Sequence, residues 1–84
     1  LAAYSMSKAA LVALTESMAT EWSDRVFVNC LCLGAVNTEM LKTAFPNYDA
    51  PVSDVQMANF IHHFSKFAAK IMNGSVIPVS VSNP

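Results

Sequence analysis

The chain has 84 residues, of which 54% are apolar and only 13% are charged, and its net charge is −1. Its five basic residues form no cluster, so nucleic-acid binding has little electrostatic basis, and no apolar run reaches the ~18 residues of a membrane span. We therefore expect a cytoplasmic protein that binds neither nucleic acid nor membrane. So short and apolar a chain is expected to be part of a larger domain.

The first half of the sequence predicts one helix followed by one strand. The helix covers residues 3–22, because apolar residues recur there at steps of three and four: Leu11, Leu14, Met18 and Trp22. The run at 26–33 is almost wholly apolar, which predicts a strand buried on both faces of a parallel sheet. Cys30 and Cys32 lie in this strand with Cα atoms about 6.6 Å apart, near the upper limit for a disulfide. We expect two reduced, buried thiols.

The second half predicts a loop region at 34–51, a helix at 53–72 and a strand at 75–82. Thr38 is a plausible N-cap for a short helix through Ala44, and Ser53 or Asp54 caps the long one. Pro78 favours an edge position for the last strand. Strand, helix and strand in this order predict parallel pairing. The long helix carries an apolar stripe that should cover the sheet: Met57, Phe60, Ile61, Phe64, Phe67, Ala68 and Ile71.

Tyr4 and Lys8 lie four residues apart on the first helix, so their side chains share one face. A neighbouring ammonium group stabilises a phenolate, which prepares the hydroxyl to exchange a proton with an alcohol or carbonyl oxygen. The spacing alone is common in helices, where a surface lysine beside a packed tyrosine is the ordinary explanation. The surrounding sequence is what favours a catalytic pair.

Residues 4–11, YSMSKAAL, resemble the active-site helix of the short-chain dehydrogenase/reductase family, and residues 28–38, VNCLCLGAVNT, resemble the strand and loop that close over its nicotinamide. The resemblance covers essentially the whole chain. It implies an α/β fold in which residues 1–84 are the C-terminal part of one Rossmann-like, doubly wound parallel sheet. The nucleotide-binding half of that fold would be lacking.

The resemblance also implies a role for each matched residue. Tyr4 would be the catalytic acid/base, and Lys8 would bind the nicotinamide ribose and assist Tyr4. Gly34 would let the backbone approach the cofactor, Val36 would offer backbone groups to the carboxamide, and Thr38 would contribute a hydroxyl. The cofactor would be NAD or NADP, and the substrate a small alcohol or carbonyl compound.

Further expectations concern the rest of the parent protein. Residues 39–51 would form a mobile segment over the substrate. Leu33 stands where the family usually has proline before Gly34, which predicts a less rigid loop. We expect a homo-oligomer, with Met18 and Trp22 either in the core or at a subunit contact. The isolated chain should be inactive, because the family's glycine-rich turn and catalytic serine do not occur in it.

Two alternatives to an enzyme with this site remain open. The chain could be a non-catalytic remnant, or an interaction or oligomerisation module of the same fold. A metal site is not expected, because adjacent His62 and His63 point about 100° apart on a helix. The two cysteines also lack zinc-type spacing.

Overall fold

A computed structural model describes residues 2–84, and it begins with helix α1, Ala2–Glu21. Six alanines in this helix supply high intrinsic helix propensity, and its bounds agree with the predicted 3–22. The predicted apolar stripe is wrong in part, because Leu11 and Leu14 are exposed. The inward face carries smaller side chains, of which Thr15 and Ala19 are buried. Met18 and Trp22 are half-buried.

Strands β1, Cys30–Leu33, and β4, Val76–Val79, form a parallel pair. The register places Cys30 opposite Val76 and Leu33 opposite Val79. The predicted parallel pairing is therefore confirmed, and β4 has β1 as its one neighbour in the described chain, as Pro78 suggested. Both strands are shorter than the predicted 26–33 and 75–82. Burial of β1 on both faces is also wrong here, because its residues are half-buried or exposed.

Before β1 begins, asparagine side chains replace the backbone hydrogen bonds that would otherwise join two strands. The Val28 N–H donates to Oδ1 of Asn73 at 2.9 Å, and the Asn29 amide donates to the Met72 carbonyl at 2.9 Å. The Ser75 N–H in turn donates to Oδ1 of Asn29 at 3.1 Å. We call Asn29 and Asn73 the asparagine bridge. Because its side chains satisfy these backbone groups, regular strand pairing starts only at Cys30.

The asparagine bridge also holds the C-terminal end of α1. The Asn73 amide donates to the Ala19 carbonyl at 3.0 Å. The next residue, Gly74, has a left-handed φ of 74°, and a Cβ built on it would lie 3.3 Å from the Ala19 Cβ. This close approach explains why the small Ala19 faces inward and a leucine does not.

The predicted loop region contains more regular structure than its sequence indicates. Thr38 caps α2, Glu39–Ala44, by accepting a hydrogen bond from the Leu41 N–H. On either side of α2 lie two short strands, β2, Val36–Asn37, and β3, Val52–Ser53. They pair in parallel, a contact between distant residues that no local pattern predicts.

Helix α3, Asp54–Lys66, begins with a capping box. The Ser53 hydroxyl accepts from the Gln56 N–H, and the Gln56 side chain accepts from the Ser53 N–H. The predicted helix 53–72 is too long, because Phe67 leaves helical backbone angles and residues Ala68–Ile71 form a 3-10 helix. Within the predicted stripe, only Met57 is buried; Phe60, Ile61, Phe67 and Ile71 are exposed.

Few side chains are buried in the described residues. The apolar ones are Ala19, Ala35 and Met57. No helix of residues 2–84 combines the length and apolarity required to cross a membrane. The described chain is thus a mixed α/β structure with two small parallel sheets and helices along their connections.

Candidate active site

One open cleft of about 740 Å³ lies between α1, the C-terminal end of β1 and α2. Its volume is within the range of small-molecule sites, and the carboxyl ends of parallel strands are the usual place for ligands in α/β folds. All five residues that the sequence singles out line this cleft: Tyr4, Lys8, Gly34, Val36 and Thr38. The fold thus brings together residues that are far apart in the chain.

Tyr4 and Lys8 enter the cleft from the first turns of α1. The Lys8 Nζ lies 5.2 Å from the centre of the Tyr4 ring, which is a cation–π distance. Both side chains therefore share one face, as their spacing predicts. Tyr4 is 64% exposed, so water screens the attraction between the ammonium group and a phenolate. The electrostatic effect of Lys8 would grow if a ligand or a protein segment excluded that water.

Gly34 directly follows β1 and packs against the end of β4 and the next residue, Ser80. Its N–H donates to the Val79 carbonyl at 2.9 Å. A Cβ built at position 34 would lie 2.5 Å from the Ser80 Cβ and 2.9 Å from the Ser80 Cα, which is closer than atoms can pack. Glycine is therefore required at position 34 because a side chain would collide with Ser80. This requirement is separate from the implied cofactor contact, and the sequence does not show it.

Val36 and Thr38 follow Gly34 along the same wall of the cleft. The Thr38 N–H donates to the Val36 carbonyl at 2.8 Å, and the Thr38 hydroxyl accepts from the Leu41 N–H at 3.2 Å. The carbonyl of Val36 retains one lone pair, and the hydroxyl of Thr38 retains its proton for donation. Both residues can still bind a polar ligand group, although part of their capacity is used to build β2 and α2.

The remaining walls of the cleft are mainly apolar. Lys8 is the one charged side chain among the described residues that line it. The sequence analysis gave no individual role to several other lining residues, among them Cys30, Cys32, Met40 and Phe45. The alternation of Cys30 and Cys32 just before Gly34, and the spacing of Met40 and Ala44 on α2, are the patterns that could have identified this wall.

The segment after α2 is fixed to the C-terminal part of the chain. The Tyr48 and Ser82 hydroxyl groups form a hydrogen bond, and the Ala35 N–H donates to the Ser82 carbonyl at 3.1 Å. Residues 39–51 are therefore anchored at Tyr48. Their predicted motion over a substrate stays a prediction.

Nowhere in residues 2–84 do three or more His, Cys, Asp or Glu side chains converge in a way that could hold an ion.

Burial and the neighbouring Cys30 thiol raise the pKa of the Cys32 thiol above its usual value, so Cys32 is a protonated thiol at neutral pH.

Comparison with known proteins identifies one family. The model of a family described as short chain dehydrogenase matches residues 1–49, more than half of the chain and all five residues singled out above. No curated protein and no solved structure gives a significant match.

Proposed function

The chain belongs to the short-chain dehydrogenase family, and on that premise we propose that it supplies the proton-transfer part of an NAD(P)-dependent oxidoreductase. The reaction would be reversible hydride transfer between the nicotinamide and an alcohol or ketone. The observation that carries the proposal is the Tyr4–Lys8 pair, with Nζ 5.2 Å from the ring centre, at a cleft formed by the matched segment.

Tyr4 would hold the proton that is exchanged with the substrate oxygen. In the direction of reduction its hydroxyl donates a proton to the carbonyl oxygen, and in the direction of oxidation its phenolate accepts the proton of the alcohol. Lys8 keeps a positive charge near the ring and so stabilises the phenolate. The apolar walls would surround the substrate carbon skeleton and lower the local dielectric, which strengthens the effect of Lys8.

The residues present fit the nicotinamide and its ribose. When bound, the nicotinamide would supply or accept the hydride. Lys8 has three donor hydrogens for ribose hydroxyl groups, and the Thr38 hydroxyl has a proton for an oxygen acceptor. Gly34 and Val36 present backbone at the cleft wall.

The rest of a dinucleotide would need another part of the protein. A glycine-rich turn rests the pyrophosphate on a helix N-terminus in doubly wound folds. The sequence has two glycines, Gly34 and Gly74, far apart from each other. We therefore propose that the chain is the C-terminal part of such a sheet and that it is inactive without the nucleotide-binding half.

The test is made on the complete gene product that carries this segment. Oxidation of NADH and NADPH is followed with a panel of small aliphatic and alicyclic ketones. Replacing Tyr4→Phe should lower kcat/KM by roughly 100-fold or more, because the general acid is lost while the ring and its packing remain. Ser17→Ala is the control, since it also removes one hydroxyl group from α1 but at an exposed position that does not line the cleft.

Three results would count against the proposal. Equal activity of Tyr4→Phe and the unaltered protein would exclude Tyr4 as the acid/base. Hydride transfer by the purified 84-residue chain would show that it needs no second half. If the complete gene product binds NADH or NADPH but reduces none of the ketones, with or without the Tyr4→Phe change, the non-catalytic alternative is favoured.

A further inference from the structure

Two free thiols lie side by side in the wall of the cleft, apart from the residues that the proposed reaction uses. Cys30 and Cys32 are the first and third residues of β1, and both are half-buried and unbridged. Both line the same cleft as Tyr4 and Lys8. They are therefore within reach of a small reagent that enters from solvent.

The backbone of β1 fixes how the two thiols are presented. Side chains two positions apart on a strand point to the same face, and their Cα atoms lie about 6.6 Å from each other. Disulfides usually require a shorter separation, with an upper limit of roughly 6.8 Å, so direct S–S bonding would strain the strand. A single bridging atom adds length between the sulfurs and suits this spacing better.

The chemistry of the pair favours a soft electrophile over a hard one. Burial and the neighbouring Cys30 thiol raise the pKa of the Cys32 thiol, so a suitable reagent is one that condenses with a protonated sulfur at that position. Other residues that line the cleft, such as Leu11, Val12 and Leu41, are apolar and have no side-chain oxygen that could compete as a ligand. Sulfur ligands in such surroundings select soft metals and metalloids over hard cations.

We propose that Cys30 and Cys32 form a dithiol site that binds a trivalent arsenical through both sulfur atoms. With an arsenic oxide, both S–H bonds break and two arsenic–sulfur bonds form. The two protons leave with the arsenic-bound oxygen as one water molecule. Arsenic and sulfur keep their oxidation states, so the step requires no oxidant or reductant. The adduct would occupy the wall of the cleft that Tyr4 and Lys8 share.

The experiment uses phenylarsine oxide and the full 84-residue chain. Intact-mass spectrometry under native conditions should show one phenylarsenic group per chain, with two hydrogens lost. Binding through two sulfurs should be roughly 100-fold tighter than binding through one, because the second bond forms within the molecule. The adduct of the unaltered chain should therefore survive excess monothiol and be released by a dithiol such as 2,3-dimercaptopropanol.

Two variants separate the geometry from the mere presence of cysteine. Cys30→Ser leaves one thiol and should give an adduct that monothiol removes. The double variant Cys32→Ser/Leu33→Cys retains two thiols but places them on opposite faces of β1; Leu33 is exposed and tolerates the change. We expect this variant to bind at least tenfold more weakly than the unaltered chain. Urea at a denaturing concentration should reduce that difference, since the strand is what preorganises the pair.

The proposal is overturned if the unaltered chain gives no monothiol-resistant adduct, or if Cys32→Ser/Leu33→Cys binds as tightly under native conditions. The mass measurement needs neither cofactor nor turnover, so it is independent of the outcome for Tyr4.

Discussion

At Gly34 two segments of the chain that are distant in sequence pass close to each other. The missing side chain of this glycine leaves room for Ser80, whose Cα would lie 2.9 Å from an added Cβ. Replacing Gly34→Ala should therefore lower the free energy of unfolding by about 1–3 kcal/mol, the range for overpacking a tight contact. Urea unfolding followed by circular dichroism measures the loss.

A double-mutant cycle with Ser80→Gly tests the cause. Removing the Ser80 side chain clears the nearest atoms and should recover part of the loss in the Gly34→Ala background, while Ser80→Gly alone has little effect on packing. Additive losses would mean that the two positions do not meet. If stability recovers but binding of NADH to the complete gene product does not, Gly34 also has the cofactor role that the family resemblance implies.

The candidate site shows which residue properties a sequence can reveal. Tyr4 and Lys8 are one helical turn apart, so local periodicity was enough to place them on one face. The partner of Gly34 could not be predicted, because Ser80 is distant in sequence and the contact depends on how β1 and β4 pair. The sequence could not predict the exposure of the Tyr4 side chain either, because that exposure depends on which other elements cover α1.

At the scale of elements, helix starts were predictable and strand ends were not. Thr38 and Ser53 cap α2 and α3 through bonds to residues three positions later, so the information is local. The start of β1 depends on the asparagine bridge, in which Asn73 reaches Val28 across the fold. An apolar run such as 26–33 cannot show that its first residues bond side chains and not a neighbouring strand.

The asparagine bridge should contribute measurably to stability. Asn73→Ala removes the bond accepted from Val28 and the bond donated to Ala19. We expect a loss of about 1–2 kcal/mol in the free energy of unfolding, since each hydrogen bond contributes about 1 kcal/mol net and Asn73 is partly accessible to water. Asn83→Ala, an exposed position in the C-terminal tail, is the control and should change stability by less than about 0.5 kcal/mol.

The variant Asn73→Asp distinguishes the contributions of the two hydrogen bonds, because it keeps one and removes the other. The carboxylate can still accept from the Val28 N–H but cannot donate to the Ala19 carbonyl. Its stability should fall between those of the unaltered chain and Asn73→Ala. A value below that of Asn73→Ala would show that repulsion between the carboxylate and the Ala19 carbonyl outweighs the bond retained, and equal stability of all three proteins would contradict the bridge.

At the scale of the whole molecule, the chain is flatter than a self-sufficient domain. Its radius of gyration is 14.6 Å, against ~12 Å for a compact chain of this length. Its extents are 46 × 31 × 17 Å, so the thinnest direction has room for little more than one sheet and one helix layer. The buried apolar residues Ala19, Ala35 and Met57 form a small core, so the stability of the chain exceeds the entropy cost of ordering it by a narrow margin.

The same flatness explains why the sequence overpredicted burial. Apolar stripes on α1 and α3 indicate which faces are to be covered, but they do not say what covers them. In the described chain each sheet has two strands, so Leu14 on α1 and Phe67 after α3 have no layer opposite them. The pattern is what a fragment of a three-layer α/β fold would show, which agrees with the proposed position of the chain in its parent.

These exposed faces predict self-association of the isolated chain. Leu11 and Leu14 are 51% and 54% exposed, one turn apart on α1, and pairing of two copies would remove both from water. Light scattering should give an average mass that rises with concentration above that of one chain.

Leu14→Lys should shift this rise to higher concentration, because pairing would then bury a charge. Ala9→Lys, which makes the same change of charge at an exposed position on the opposite side of α1, is the matched control and should leave the curve near that of the unaltered chain. A single-chain mass at all concentrations, with a sharp cooperative unfolding transition, would show that the small core and the asparagine bridge are sufficient to fold the chain alone.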